Sequence, residues 1–273
     1  IYLMYIELNQ KKVFASTGGK PFDPKKPLVL FIHGSGLDHT FWGLHSRFFA
    51  FRGYSVLCID MPGHTNSEGP SLESIEEMAD WVNEVTTEIG AKDISVVGHS
   101  QGCLVSIELA SRYPDEIKSV SLIASGYETP VNSFLLDSAK NEPKTALNKM
   151  ISWGFGEAGH LYQGTIPGNS MLIGGYKVMG GNPDELYKDL LACNNYKAGK
   201  DAAGKIKASC QLILAGQDLM VPKKSSMALA EALPPSRELT IIKESGHMLP
   251  LESPNKCRDL LKTFIFSKNP TGK

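Results

Sequence analysis

A serine between two glycines follows directly on a short apolar run, and this junction constrains the fold more than any other feature. The run 94–97 is typical of a buried strand, and residues 98–102 read G-H-S-Q-G. The apolar positions within 103–110 predict a helix immediately afterwards. Only glycine-sized neighbours leave room for so sharp a turn, and Ser100 at its centre must adopt strained backbone angles. The chain therefore contains a strand, a tight turn and a helix in succession.

A serine at such a turn is a candidate nucleophile. Its hydroxyl reacts weakly at neutral pH, so it requires a base, a carboxylate that orients the base, and amide donors for an oxyanion. Asp218 follows a later strand-like run, and His247 lies on a glycine-containing loop after the next run. We predict that His247 accepts the proton of Ser100 through one ring nitrogen and donates to Asp218 through the other. Glu128, which follows the preceding strand, is the alternative acid.

A second glycine-containing turn, H-G-S-G at 33–36, follows the apolar run 28–32. It suits a loop that exposes a backbone amide at the carboxyl end of a sheet, and it lacks the lysine and glycine spacing of a phosphate-binding P-loop. The backbone amides of Ser35 and Gln101 are the predicted oxyanion donors. Four residues are weaker candidates for substrate contact, namely Gly34, His99, Trp153 and Met248.

Four separated signatures together resemble the α/β-hydrolase superfamily, over nearly the whole chain. In chain order they are H-G-S-G at 33–36, D-M-P-G-H-T-N-S at 60–67, the turn at Ser100, and G-Q-D at 216–218 with G-H at 246–247 and E-S-P at 252–254. The second signature looks like the family's D-x-P-G-x-G-x-S loop, with Asn66 where the second glycine commonly stands. Family members with an aspartate nucleophile do not match, because position 100 is serine.

The expected architecture is α/β, with a mostly parallel central sheet, helices on both faces and an inserted helical cap. The resemblance implies a hydrolase core over 1–125 and 208–273 and a cap over 126–207. Parallel strands are predicted at 28–32, 55–59, 94–97, 119–124, 211–215 and 239–242, after an antiparallel hairpin at 2–7 and 12–16. Helices are predicted at 71–89 in the core and near 132–140, 144–153 and 183–192 in the cap.

Composition restricts the kinds of partner. With 273 residues, 42% of them hydrophobic, the chain can bury one large core. A net charge of -1 without a basic run gives no indication of a nucleic-acid or membrane partner. Five cysteines without a C-x-x-C pair, together with no signal-peptide pattern at the start, predict reduced thiols and a cytoplasmic location. No metal and no cofactor are expected.

By this resemblance the chain is similar to capped serine hydrolases, carboxylesterases in particular. The predicted reaction is hydrolysis of a small-molecule carboxylic ester through an acyl-serine intermediate. The same triad can also serve carbon–carbon bond hydrolysis, lactone opening, peracid formation or cyanohydrin cleavage, and the fold does not choose among them. Because some family members are small-molecule receptors that keep the triad, a binding function is a further alternative.

Overall fold

The centre of the molecule is a twisted sheet, seen in a computed structural model that describes residues 3–160, 170–181 and 184–271. Within those ranges it has eight strands in the order β1-β2-β4-β3-β5-β6-β7-β8. Strands β3 to β8 run parallel, while β2 is antiparallel to both β1 and β4. The strands are β1 (Leu3–Leu8), β2 (Lys11–Ser16), β3 (Leu28–Ile32), β4 (Ser55–Ile59), β5 (Ile94–His99), β6 (Ile117–Ile123), β7 (Ser209–Ala215) and β8 (Glu238–Ile242).

Helices cover both faces of this sheet. In β3, Leu28 and Leu30 join one buried apolar cluster and Val29 and Phe31 join the other, as the period of two in a strand requires. The helices are α1 (Gly43–Ala50), α2 (Ile75–Glu88), α3 (Gln101–Arg112), α4 (Ser133–Asn141), α5 (Pro143–Gly154), α6 (Glu157–His160), α7 (Met171–Met179), α8 (Leu186–Asn195), α9 (Gly199–Lys205), α10 (Lys223–Ala232), α11 (Leu249–Glu252) and α12 (Pro254–Lys268). The predicted fold class is confirmed.

Two helices begin at residues other than those predicted. Helix α2 begins at Ile75 rather than at 71, because the Ser74 hydroxyl accepts the Glu77 N–H at 3.2 Å and caps the helix. Helix α3 begins at Gln101, directly after the turn. Residue 2 of the predicted hairpin and residue 183 of the predicted third cap helix lie outside the described residues.

Helices α4 to α9 lie between β6 and β7. Helix α4 packs against α5 and α8, whereas α9 packs against α3 and α10. Ala202 and Ala203 of α9 belong to the buried cluster that contains Leu28 and Leu30 of β3. The five cysteines are buried and unpaired, and no helix in the described part of the chain is both long and apolar enough to cross a bilayer.

The loop after β4 corrects one expectation. Positive φ occurs at Gly63 (81°) and Thr65 (42°), so Thr65, not Asn66, has the backbone conformation that favours glycine. Asn66 lies one residue further and donates its backbone N–H to the Asp60 carboxylate at 3.3 Å. The family's second glycine therefore corresponds to Thr65.

Candidate active site

Ser100 occupies the turn between β5 and α3 with φ 53° and ψ −119°, a conformation that L-residues rarely adopt. Its flanking glycines are required by contact. A Cβ at Gly98 would lie 2.6 Å from Ser106 Oγ, and one at Gly102 would lie 2.7 Å from the His33 carbonyl oxygen. The strained serine and the glycine requirement predicted from the motif therefore both occur.

The structure brings the predicted base and acid together. His247 Nδ1 lies 2.9 Å from Asp218 Oδ2, and both side chains are buried. Burial alone would raise the pKa of the Asp218 carboxyl, but His247 and the backbone N–H groups of Met220 and Val221, each 2.8 Å from Oδ1, hold that pKa below its ordinary value. No hydrogen bond joins Glu128 to His247 in the described part of the chain.

Glu252 fixes the loop that carries the candidate base, a role that the sequence did not indicate beyond its place in a family signature. One carboxylate oxygen accepts the Gly246 N–H and the other accepts the Gly156 N–H, both at 2.9 Å. Met248 N–H donates to the Gly154 carbonyl at 2.8 Å beside them. The base loop is therefore bonded directly to the segment between α5 and α6.

His99 supports the same loop. Its Nε2 lies 2.9 Å from the His247 carbonyl oxygen, so this nitrogen carries the proton and donates. Burial, with the nearby His247, lowers the pKa of His99 to about 3, so the ring is neutral. His99 therefore contributes a neutral hydrogen bond beside the candidate base and no charge.

The predicted oxyanion donors belong to two segments that meet at Ser100, since Gln101 follows it directly and a Cβ on Gly34, next to Ser35, would lie 3.1 Å from Ser100 Cβ. Gln101 is the first residue of α3, so its N–H has no carbonyl partner within the helix. Ser35 is buried in the 33–36 turn, where its hydroxyl lies 3.7 Å from Cys193 Sγ of α8. The next residue, Gly36, donates its N–H to Asp189 of the same helix at 2.7 Å. Sequence reasoning did not find Asp189 as a residue that contacts the 33–36 turn, because it lies in no recognisable motif.

One cavity of about 90 Å³ contains both Ser100 and His247 in its wall. It lies between the carboxyl end of the sheet and helices α4, α5 and α8. The four weaker candidates, Gly34, His99, Trp153 and Met248, line it together with apolar residues that include Val131, Leu135, Met150, Leu190 and Val221. Among its described lining residues there is no Lys, Arg, Asp or Glu, and the described chain holds no cluster of three His, Cys, Asp or Glu residues suited to a metal.

A mostly parallel sheet with a strained serine, a histidine–carboxylate pair and a glycine-containing turn in the loops at its carboxyl end is the arrangement of an α/β hydrolase. The chain belongs to this family, since the family model described as alpha/beta hydrolase fold matches residues 27–254.

Comparisons with known proteins found a similar curated protein with an acetyltransferase name and solved hydrolase structures that share the fold. The chain is 30% identical over 247 residues to the dihydrolipoyllysine-residue acetyltransferase component of an acetoin cleaving system from Cupriavidus necator, covering 87% of this chain but only 63% of that protein's length. It is similar to the enol-lactonase from Burkholderia xenovorans LB400 (TM-score 0.84, 18% identity, 96% and 99% of the two chains). It is also similar to a thermophilic esterase (TM-score 0.78, 25% identity, 99% of each chain).

Proposed function

We propose that this protein is a serine hydrolase that cleaves uncharged carboxylic esters through an acyl-serine intermediate. The observation that carries the proposal is that the wall of one cavity contains both the strained Ser100 and His247, and that His247 is bonded to Asp218 behind it. Membership of the α/β-hydrolase family and the likeness to an esterase support the same chemistry. The bond type and the roles of the residues are the proposed part.

In the proposed mechanism, His247 Nε2 takes the proton of Ser100 as its oxygen attacks the ester carbonyl carbon. The carbonyl electrons move onto oxygen, and the N–H groups of Ser35 and Gln101 stabilise that oxyanion. The carbonyl reforms as the C–O bond to the alcohol breaks, and His247 returns the proton to the leaving alcohol. Water then repeats these steps on the acyl-serine, which releases the carboxylic acid and restores Ser100. Asp218 stabilises the imidazolium throughout.

The cavity favours a small, neutral acyl group. Its volume of about 90 Å³ is below the roughly 150 Å³ of an apolar protein cavity that accommodates benzene. A substrate carboxylate would meet no cation among the described lining residues, and residues 126–207 contain no arginine. This disfavours a carbon–carbon hydrolase that clamps an acidic diketone. The lack of a lysine among the described lining residues disfavours cyanohydrin cleavage.

The first test is hydrolysis of p-nitrophenyl esters from acetate to dodecanoate by the wild type and Ser100→Ala. We expect turnover by the wild type, highest for short acyl chains, with a burst of nitrophenol that reports the acyl-enzyme, and loss of both in Ser100→Ala. Ser236→Ala, at an exposed serine, is the matched control and should match the wild type. A folded wild type that turns over none of these esters would contradict the proposal and favour the receptor function.

The second test assigns the acid. Asp218→Asn should lower kcat by about 10⁴-fold, because the amide cannot hold the required tautomer of His247. Glu128→Gln is the matched carboxylate-to-amide change and should leave kcat within about twofold. The assignment is wrong if Glu128→Gln loses turnover while Asp218→Asn keeps it.

A further inference from the structure

The contact between α8 and the two candidate oxyanion residues is not explained by the triad. We propose that Asp189 of α8 is a positioning residue for the oxyanion hole, holding the Ser35–Gly36 turn and Gln101 in register with each other. This inference rests on the proposed function, because the two amides need a fixed separation only if an oxyanion forms between them.

Asp189 contacts both halves of the proposed hole. Its Oδ2 accepts the Gly36 N–H at 2.7 Å, which fixes the peptide next to Ser35. Its backbone carbonyl accepts Gln101 Nε2–H at 3.0 Å, which fixes the residue whose own N–H is the second donor. The two bonds join residues 153 and 88 positions apart in the chain. A single residue of α8 therefore sets the position of one donor relative to the other.

His64 keeps Asp189 charged. His64 Nε2 lies 2.9 Å from Asp189 Oδ2, Nδ1 lies 3.1 Å from the Pro62 carbonyl oxygen, and only 1% of each side chain of the pair is exposed. Because both partners accept, both ring nitrogens donate, and the ring is an imidazolium. Burial opposes this charge, but Asp189 raises the pKa of His64 to about 9, and His64 in turn keeps the pKa of Asp189 below its ordinary value.

The other titratable groups near this pair are His33, Glu185 and Cys193, and burial together with Asp189 raises the pKa of the Cys193 thiol, so it is neutral. The His33 and His64 ring centroids are 5.1 Å apart. His33 is neutral, because its Nε2 accepts the Met61 N–H at 3.1 Å and burial lowers its pKa. Glu185 adds negative potential that favours the His64 imidazolium. Asp189 and His64 are therefore the charged pair in contact with the 33–36 turn.

Stability alone does not account for such a pair. Well-packed apolar side chains often replace a buried ion pair without loss of stability, because desolvation offsets the attraction. A directional role does account for it, because a charged acceptor makes a short bond that holds a turn without regular structure. Close packing adds to this, since a Cβ on Gly36 would lie 2.9 Å from Leu186 Cδ1 of α8.

The test compares Asp189→Asn with the wild type and with Asp201→Asn, an exposed carboxylate on α9 as matched control. We measure kcat and KM on p-nitrophenyl butanoate, and Ki for a trifluoromethyl ketone, which forms a tetrahedral oxyanion adduct, against the corresponding methyl ketone. Asp189→Asn should lower kcat about 10- to 100-fold, as misplaced oxyanion donors do, with KM within about threefold. Ki for the trifluoromethyl ketone should rise by a similar factor while that for the methyl ketone is unchanged.

Gln101→Met decides the matter if Asp189→Asn does not fold. It removes the side-chain bond to Asp189 but keeps the backbone N–H, so kcat should fall several-fold with the same selective weakening of the trifluoromethyl ketone. The inference is overturned if the folded variants keep wild-type kcat and Ki while Ser100→Ala has no turnover, and the proposed function then stands. A wild type that hydrolyses no ester overturns the proposed function and the role of Asp189 with it.

Discussion

The strained backbone at Ser100 leads to an unusual stability prediction, that glycine is better than alanine at this position. Both substitutions remove the hydroxyl, and both keep the backbone bonds of the turn, in which Ser100 N–H donates to Ile123 at 3.0 Å and its carbonyl accepts the Cys103 N–H at 2.9 Å. Only alanine keeps a Cβ at φ 53°, which costs about 1–3 kcal/mol. Glycine avoids this cost but loses about 0.4–1 kcal/mol through the freedom of the unfolded chain. The net expectation is that Ser100→Gly is more stable than Ser100→Ala by about 1 kcal/mol.

The measurement is urea unfolding of both variants, followed by circular dichroism at pH 7. A difference of about 1 kcal/mol corresponds to a Tm difference of roughly 2–4 °C in a chain of this size. Ser106 provides the control pair, because it lies inside α3 with ordinary helical geometry and its hydroxyl is lost equally in both variants. There glycine should be less stable than alanine by about 1 kcal/mol.

The reasoning is refuted if Ser100→Gly is less stable than Ser100→Ala by as much as the control pair shows. That result would mean that the turn accepts a Cβ without strain. If the expected sign is found and neither Ser100 variant turns over ester, the strained backbone lowers stability at a residue that turnover requires.

Three further predictions concern packing, pH and the acyl cavity. Gly98→Ala should lower the free energy of unfolding by about 1–3 kcal/mol, because its Cβ would clash with the backbone carbonyl of Gly102. Gly43→Ala, with nothing within 4 Å, should raise the free energy of unfolding by about 0.5 kcal/mol in urea titrations, and equal effects of the two substitutions would contradict the contact argument. Burial lowers the pKa of His45 to about 4, so below pH 6.5 the unfolded chain binds more protons than the folded chain and the wild type loses stability. Between pH 7 and pH 4.5, His45→Phe should therefore lose about 2 kcal/mol less stability than the wild type. Equal losses of stability in the two proteins would contradict a neutral His45 ring. Met150→Ala shortens a side chain in the cavity wall and so enlarges the cavity. The ratio of kcat/KM for hexanoate esters to kcat/KM for acetate esters should therefore rise at least several-fold, and an unchanged ratio would mean that the acyl group binds elsewhere.

Sequence reasoning worked best where function depends on local chain geometry. The G-x-S-x-G turn predicts the positive φ of Ser100, because sterics of adjacent residues decide it. Alternating and continuous apolar runs predicted the parallel strands for the same reason, since side-chain period is a property of a short segment. The assignment of the second glycine to Asn66 was wrong by one position, because the pattern D-x-P-G-x-G-x-S laid on 60–67 puts that glycine at Thr65, in agreement with the positive φ there.

Only the tertiary structure decided which polar groups meet. Asp218 and Glu128 both follow a strand, and the sequence left both as candidates for the acid, but the bond to His247 goes to Asp218. The pair His64–Asp189 is separated by 125 positions, and neither residue lies in a pattern that would link them. The sequence by itself determined the fold class and the residue types at each loop, because these follow from local sterics and burial. The charge states of the buried groups depend on distances across the folded chain, which no short segment encodes. The same is true of the contact between α8 and the 33–36 turn.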